Sequence, residues 1–167
     1  MTVLVAGLGN IFSSDDGFGV AVVDELSRRP LPAGVEVRDF GIRGIHLAYQ
    51  LLEPYDLVVL VDAVQRGGPP GTVYLIEAEP SADPSEEVTM DAHDLGPDAV
   101  LSLVPRLGGT VGPVVVIGCE PAGVDAGIGL SPAVQDAVGT AVQLVIDVVT
   151  GAMEGRADVP GYSRPGG

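Results

Sequence analysis

Three stretches of the chain, "TVLVA" (2–6), "LVVLVD" (57–62) and "PVVVIGC" (113–119), are almost unbroken runs of β-branched and aliphatic residues, each bounded by glycine, proline or a polar turn. A strand with one face in water alternates apolar and polar residues. A strand that is apolar at nearly every position must be covered on both faces, as in a parallel sheet lying between layers of helices. Two shorter segments, "VEVRDF" (35–40) and "TVYLIE" (72–77), alternate more clearly and belong nearer the sheet edges, which brings the count to about five strands.

Helical patterns fill the intervals. Residues 17–29 place Val20, Val23 and Leu26 on one face and stop before "PLPAG"; residues 44–53 bring Leu47, Leu51 and Leu52 together; residues 132–149 repeat valine at 134, 138, 142, 145 and 149. A weaker helix over 95–107 starts late because of Gly96 and Pro97. Strands that alternate with helices predict an α/β domain with a mainly parallel five-stranded sheet, spanning residues 1–150. From 151 to 167, "GAMEGRADVPGYSRPGG" reads as a flexible C-terminal tail. The polar, acidic stretch 78–92 reads as a long loop of the kind that often carries function.

Charge narrows the choice of partners. The chain has 23 acids against 8 bases, no lysine, and a net charge of -15. Phosphate backbones and anionic lipid would be repelled, so neither nucleic acid nor a membrane is expected as a partner. No apolar run approaches the roughly 20 residues that span a bilayer. The opening "MTVLVAGLGN" enters a strand without a basic leader or cleavage site, so nothing predicts export. The single cysteine, Cys119, excludes an internal disulfide.

The stretch "LVAGLGNIFSSDDGFGV" (4–20) carries the chemical question. A glycine turn between a strand and a helix suits an anion, yet here Asp15 and Asp16 occupy the helix start. Either they are helix caps or the loop receives something positive. In open parallel sheets ligands bind beyond the carboxyl ends of the strands. That rule groups Asp15 and Asp16 after the first strand with Asp62 closing the third, His93 at the end of the long loop, and Cys119 with Glu120 closing the fifth. Two carboxylates and an imidazole suit a borderline divalent metal such as nickel, zinc or iron. One acid of the pair reads as an ordinary N-cap, and His46, near a helix start, as a solvated side chain. Other chemistries fit poorly. "GLGNIF" lacks the third glycine of a dinucleotide turn, no P-loop lysine follows, and neither HExxH nor GxSxG is present. Cys119, at the end of an apolar strand, reads as a packed thiol.

Taken together, these segments resemble a known family, the nickel-dependent hydrogenase maturation endopeptidases. "GLGNIFSSDDGFGV" is similar to the family's opening motif, residues 39–77 to its second block with glycines 41 and 44, "DAHDLG" around His93 to its third, and "VIGCEPAGVDAGIGLSP" (116–132) to its fourth. The resemblance runs in order over about residues 3–150. It implies a Rossmann-like three-layer α/β/α fold. The implied activity is removal of a C-terminal extension from the large-subunit precursor of a [NiFe]-hydrogenase in the cytoplasm. It places the metal-contacting residues at Asp16, Asp62 and His93, with Asp16 and Asp62 also the catalytic candidates, and the nickel arriving within the substrate. With no convincing Ser or Cys nucleophile, water is the expected attacking group. Position 120 is Glu where the family more often has Gln, which adds a charge near the cleft, and position 16 is Asp rather than the longer Glu. The rival readings are a non-proteolytic nickel- or precursor-binding chaperone of the same fold, a peptidyl-tRNA hydrolase, and a Rossmann oxidoreductase.

Overall fold

The three unbroken apolar runs form the inner strands of one sheet and the two alternating segments form its edges. The computed structural model describes residues 1–78 and 95–155. Its strands are β1 (Val3–Leu8), β2 (Val35–Gly41), β3 (Leu57–Ala63), β4 (Val73–Ala78) and β5 (Val114–Cys119), and its helices are α1 (Phe18–Leu26), α2 (Gly44–Gln50), α3 (Pro97–Arg106) and α4 (Pro132–Met153). The strand order is β2-β1-β3-β5-β4. β1 pairs in parallel with β2 and β3, β3 with β5, and only β4 runs antiparallel, against β5. Every residue of β1 and β5 is buried, whereas β2 and β4 are mostly half-exposed.

Alternate side chains of the sheet feed two cores. Val3, Val5, Val59, Val61, Val115 and Ile117 face α1 and α4. Leu4, Ala6, Val58, Leu60, Val114 and Val116 face α2 and α3. At about 1.5–3 kcal/mol per buried aliphatic side chain, these two layers are the main favourable term in folding. The result is the three-layer α/β/α architecture expected from the sequence.

Helix limits and faces differ in places from the expectation. α1 ends at Leu26 rather than near residue 29, and the Ser27 hydroxyl donates to the Asp24 carbonyl at 2.6 Å as the chain leaves it. Its core face is Phe18, Val22, Val23 and Leu26, with Val20 only half-buried. Leu52 lies beyond the end of α2 and is 40% exposed. α3 begins at Pro97, as the proline and glycine suggested. α4 continues past the expected boundary at 150 to Met153, with Gly151 and Ala152 buried, because its apolar spacing carries on through Val148, Val149 and Ala152. At 22 residues, with a window of mean hydropathy 1.3, α4 is also long and apolar enough by length and composition to cross a membrane, contrary to the sequence reading. Here half of that window is buried, and its valine stripe is taken up by the sheet. Of the loop expected over 78–92, Ala78 instead closes β4, and residues 79–92, like the tail from 156 onward, lie outside the described residues.

Candidate active site

From β1 the chain crosses through α1 to β2 on one side, and from β2 it crosses through α2 to β3 on the other. The loops at the carboxyl ends of β1 and β3 therefore diverge and leave a crevice, the position where doubly wound sheets bind ligands. A cavity of about 170 Å³ lies there, bounded by Gly9, Asn10, Asp16, Gly41, Ile42, Asp62, Ala63, Leu95 and Gly96.

Close backbone packing sets the acids in place. A Cβ on Gly19 would lie 2.2 Å from the Val61 carbonyl oxygen and 2.3 Å from that of Leu8, so the first turn of α1 rests directly on the ends of β1 and β3. Gly9 has φ +127°, and a Cβ there would lie 1.9 Å from the Asp16 carbonyl oxygen and 3.5 Å from Asp62 Oδ1. Only glycine fits that conformation and that gap. The glycines of the opening turn therefore serve contacts inside the chain, pressing the Asp16 segment toward Asp62.

Asp16 is half-buried, and its Oδ2 accepts from the Asn10 N–H at 2.7 Å. Asp62 is 6% exposed and its Oδ1 accepts from the Ala63 N–H at 2.8 Å. Burial, and then the neighbouring Asp16 charge, push the Asp62 carboxyl up to about 8 against the opposing pull of the Ala63 N–H. Among the described residues, no basic side chain lines the cavity. Two acids held together without a counter-charge among the described residues need a proton or a cation, so this part of the site favours a positive ligand.

The other grouped residues are used differently. Asp15 is 1% exposed and caps neither the turn at Ser14–Gly17 nor α1, whose N-cap is Gly17. Its carboxylate points away from the cavity and accepts from Ala122 N (2.8 Å), Gly123 N (3.3 Å), Ser131 N (2.7 Å) and Ser131 Oγ (2.9 Å). Burial works to raise its pKa, yet these hydrogen bonds together hold it below the usual carboxylate value. Asp15 thus anchors the loop between β5 and α4, including the residue that begins α4.

Glu120 does not add a free charge to the cleft. It is 4% exposed and accepts from Arg66 N at 3.0 Å, Gly68 N at 2.6 Å and Tyr74 OH at 3.2 Å, which ties down the turn between β3 and β4. The Arg66 guanidinium lies 5.7 Å from the centroid of the Tyr74 ring beside it. Burial, with Asp15 and Glu120 nearby, pushes the Cys119 thiol up to about 11, in keeping with a packed thiol. His46 is exposed on α2. His93 lies outside the described residues, and among those described no three His, Cys, Asp or Glu side chains form a metal-holding group.

Sequence reasoning grouped Asp16 with Asp62, which line one cavity, but missed the anchoring roles of Asp15 and Glu120. Their partners lie between 46 and 116 residues away along the chain, so no local pattern announces them.

A carboxylate pair at the switch point of a doubly wound sheet, with no thiol lining its cavity, defines an α/β protein with an acid-centred site. A profile of the hydrogenase maturation protease family (HycI) matches residues 20–148. The hydrogenase expression/formation protein HupD of Bradyrhizobium diazoefficiens is 34% identical over 149 residues, covering 88% of this chain and 77% of that protein. Among solved structures, the hydrogenase-maturating endopeptidase HybD of E. coli superposes with a TM-score of 0.75 at 30% identity, covering 93% of this chain and 94% of that one. The hydrogenase 2 maturation peptidase of a Thaumarchaeota archaeon gives 0.67 at 36% identity, covering 88% and 97%. The chain belongs to the hydrogenase maturation protease family, and it is accordingly a peptide-bond hydrolase.

Proposed function

We propose that this protein removes the C-terminal extension from the large-subunit precursor of a [NiFe]-hydrogenase after nickel has been inserted. The observation that carries the reading is the buried Asp62 carboxyl, raised to about 8 beside Asp16 in a cavity lined by no basic side chain among the described residues. Such a pair discriminates for a cation. Nickel held by the precursor would supply the missing positive charge, displace the proton on Asp62 and dock the loaded chain at the site. Carboxylate oxygens are acceptable donors to nickel, and His93 is proposed as the third contact. The nickel belongs to the substrate.

Hydrolysis then needs an activated water and a positioned carbonyl. No thiol lines the cavity, and Cys119 is buried with a raised pKa. Water is the attacking group in this account, activated by the substrate's metal or by one of the two carboxylates as general base. An unloaded precursor lacks the charge that settles the acid pair, so cleavage would wait for nickel. The setting proposed for this work is the cytoplasm, before the hydrogenase assembles.

The test is a pair of isosteric variants. Asp16→Asn and Asp62→Asn are expected to abolish cleavage of the nickel-loaded precursor while the proteins stay folded. Full cleavage by either variant would remove that acid from the mechanism.

A further inference from the structure

A second concavity, of about 430 Å³, lies on the other side of the loop that carries the acids. Its apolar wall is Ile11, Val20, Ala21, Val37, Ile128 and Leu130. Two of these side chains face solvent, Ile128 at 85% exposed and Ile11 at 48%, and Phe12, next in the chain to Ile11, is 63% exposed. Contiguous exposed apolar surface on a chain this acidic marks a place where something docks.

Chain connectivity joins this groove to the acid cavity. Asn10 and Asp16 line the cavity, while their immediate neighbours Ile11 and Gly17 line the groove. Those neighbours pack on each other, since a Cβ on Gly17 would lie 3.2 Å from Ile11 Cα. The partition between the two sites is therefore one layer of backbone. An extended polypeptide advances about 3.3 Å per residue, so a chain with its bond at the acids would lay side chains a few residues away over the groove.

The acid cavity itself is small and polar, with little room for an aliphatic side chain, so apolar side chains of a bound polypeptide would have to be taken up outside it. Asp24 and Asp39 also line the groove and, with the net charge of -15, disfavour an acidic occupant.

We propose that this groove seats an apolar, non-acidic segment of the polypeptide being cut, next to the scissile bond. The inference rests on the peptidase reading but adds a specificity site that is independent of the metal. Ile128 and Ile11 supply the grip, and the β5–α4 loop that carries Ile128 is held in place by Asp15.

The experiment uses the full-length chain and purified large-subunit precursor, with cleavage kinetics and direct binding measured for Ile128→Gln, Ile11→Gln and a control, Tyr49→Gln. Tyr49 is 57% exposed on α2, away from the groove. The groove variants are expected to raise KM and Kd by about tenfold with kcat nearly unchanged, and the control to change neither. Cleavage by the parent with KM unaltered in both groove variants would overturn the groove while leaving the peptidase reading intact. Groove-dependent binding without cleavage would keep the groove and remove the peptidase reading. A parent that neither binds nor cuts the precursor would end both. Should the parent be a dimer that Ile128→Gln converts to a monomer, the occupant is a second copy of this chain and the proposal fails.

Discussion

Asp15 and Ser131, 116 residues apart, are joined by two hydrogen bonds: Ser131 N–H to Oδ1 at 2.7 Å and Ser131 O–H to Oδ2 at 2.9 Å. The residue next to Asp15 is Asp16, so one buried carboxylate connects the acid cavity to the β5–α4 loop. The adjacent aspartates point to different places, Asp15 into the anchoring bonds and Asp16 into the cavity where the chemistry is proposed.

Asp15→Ala should therefore destabilise the protein by about 2–4 kcal/mol, because the part-buried donors at 122, 123 and 131 lose their acceptor. Asp16→Asn should cost little stability. Urea unfolding of the two variants checks the contrast, and equal destabilisation would contradict it.

Gly9→Ala places a methyl group where the Asp16 carbonyl oxygen now sits, at φ +127°. The expected cost is about 3 kcal/mol or more, with cleavage lost wherever the variant still folds, since relief of the overlap moves Asp16. Thermal unfolding and a cleavage assay on the same sample measure both effects. A stable, active Gly9→Ala protein would show that the close approach does not matter.

Glu120 offers a graded test. Glu120→Gln keeps one carbonyl oxygen for Gly68 N and Arg66 N and should cost about 1 kcal/mol, whereas Glu120→Ala leaves these amides and the Tyr74 hydroxyl without their partner and should cost about 2–3 kcal/mol. Denaturant midpoints give the order. If Gln instead changes precursor binding with stability unaltered, Glu120 contacts the substrate after all.

The inner strands were legible because a strand buried on both faces is apolar throughout, and the valine stripe of α4 because five valines fall on one helical face. Asp16 and Asp62 were legible as a pair through topology, since parallel strands bring their carboxyl ends to one edge. The anchoring roles of Asp15 and Glu120 were not, because each depends on amides supplied by distant loops. Val20 was misplaced for a different reason. Apolar periodicity cannot distinguish a side chain facing the core from one facing a surface groove, and Val20 lines the groove.

The Asp62 carboxyl sets a pH dependence. Its folded value of about 8 lies above the usual 3.8, so the folded chain keeps a proton that the unfolded chain releases. Metal-free stability should be fullest below 3.8 and fall as pH rises to about 8, by up to about 1.4 kcal/mol per pH unit from this group. Asp62→Asn should flatten that slope and be more stable than the parent at about pH 9. Urea midpoints across the range decide it, and identical slopes would mean that Asp62 ionises normally.

The central claim is that the acid pair licenses cleavage by reading nickel on the substrate. Its most direct test is the intact mass of a cognate large-subunit precursor, nickel-loaded and nickel-free, after incubation with the protein. Loss of a C-terminal peptide from the loaded form alone is the predicted result. Equal cleavage of both forms, or binding of the loaded form with its mass unchanged, would contradict it.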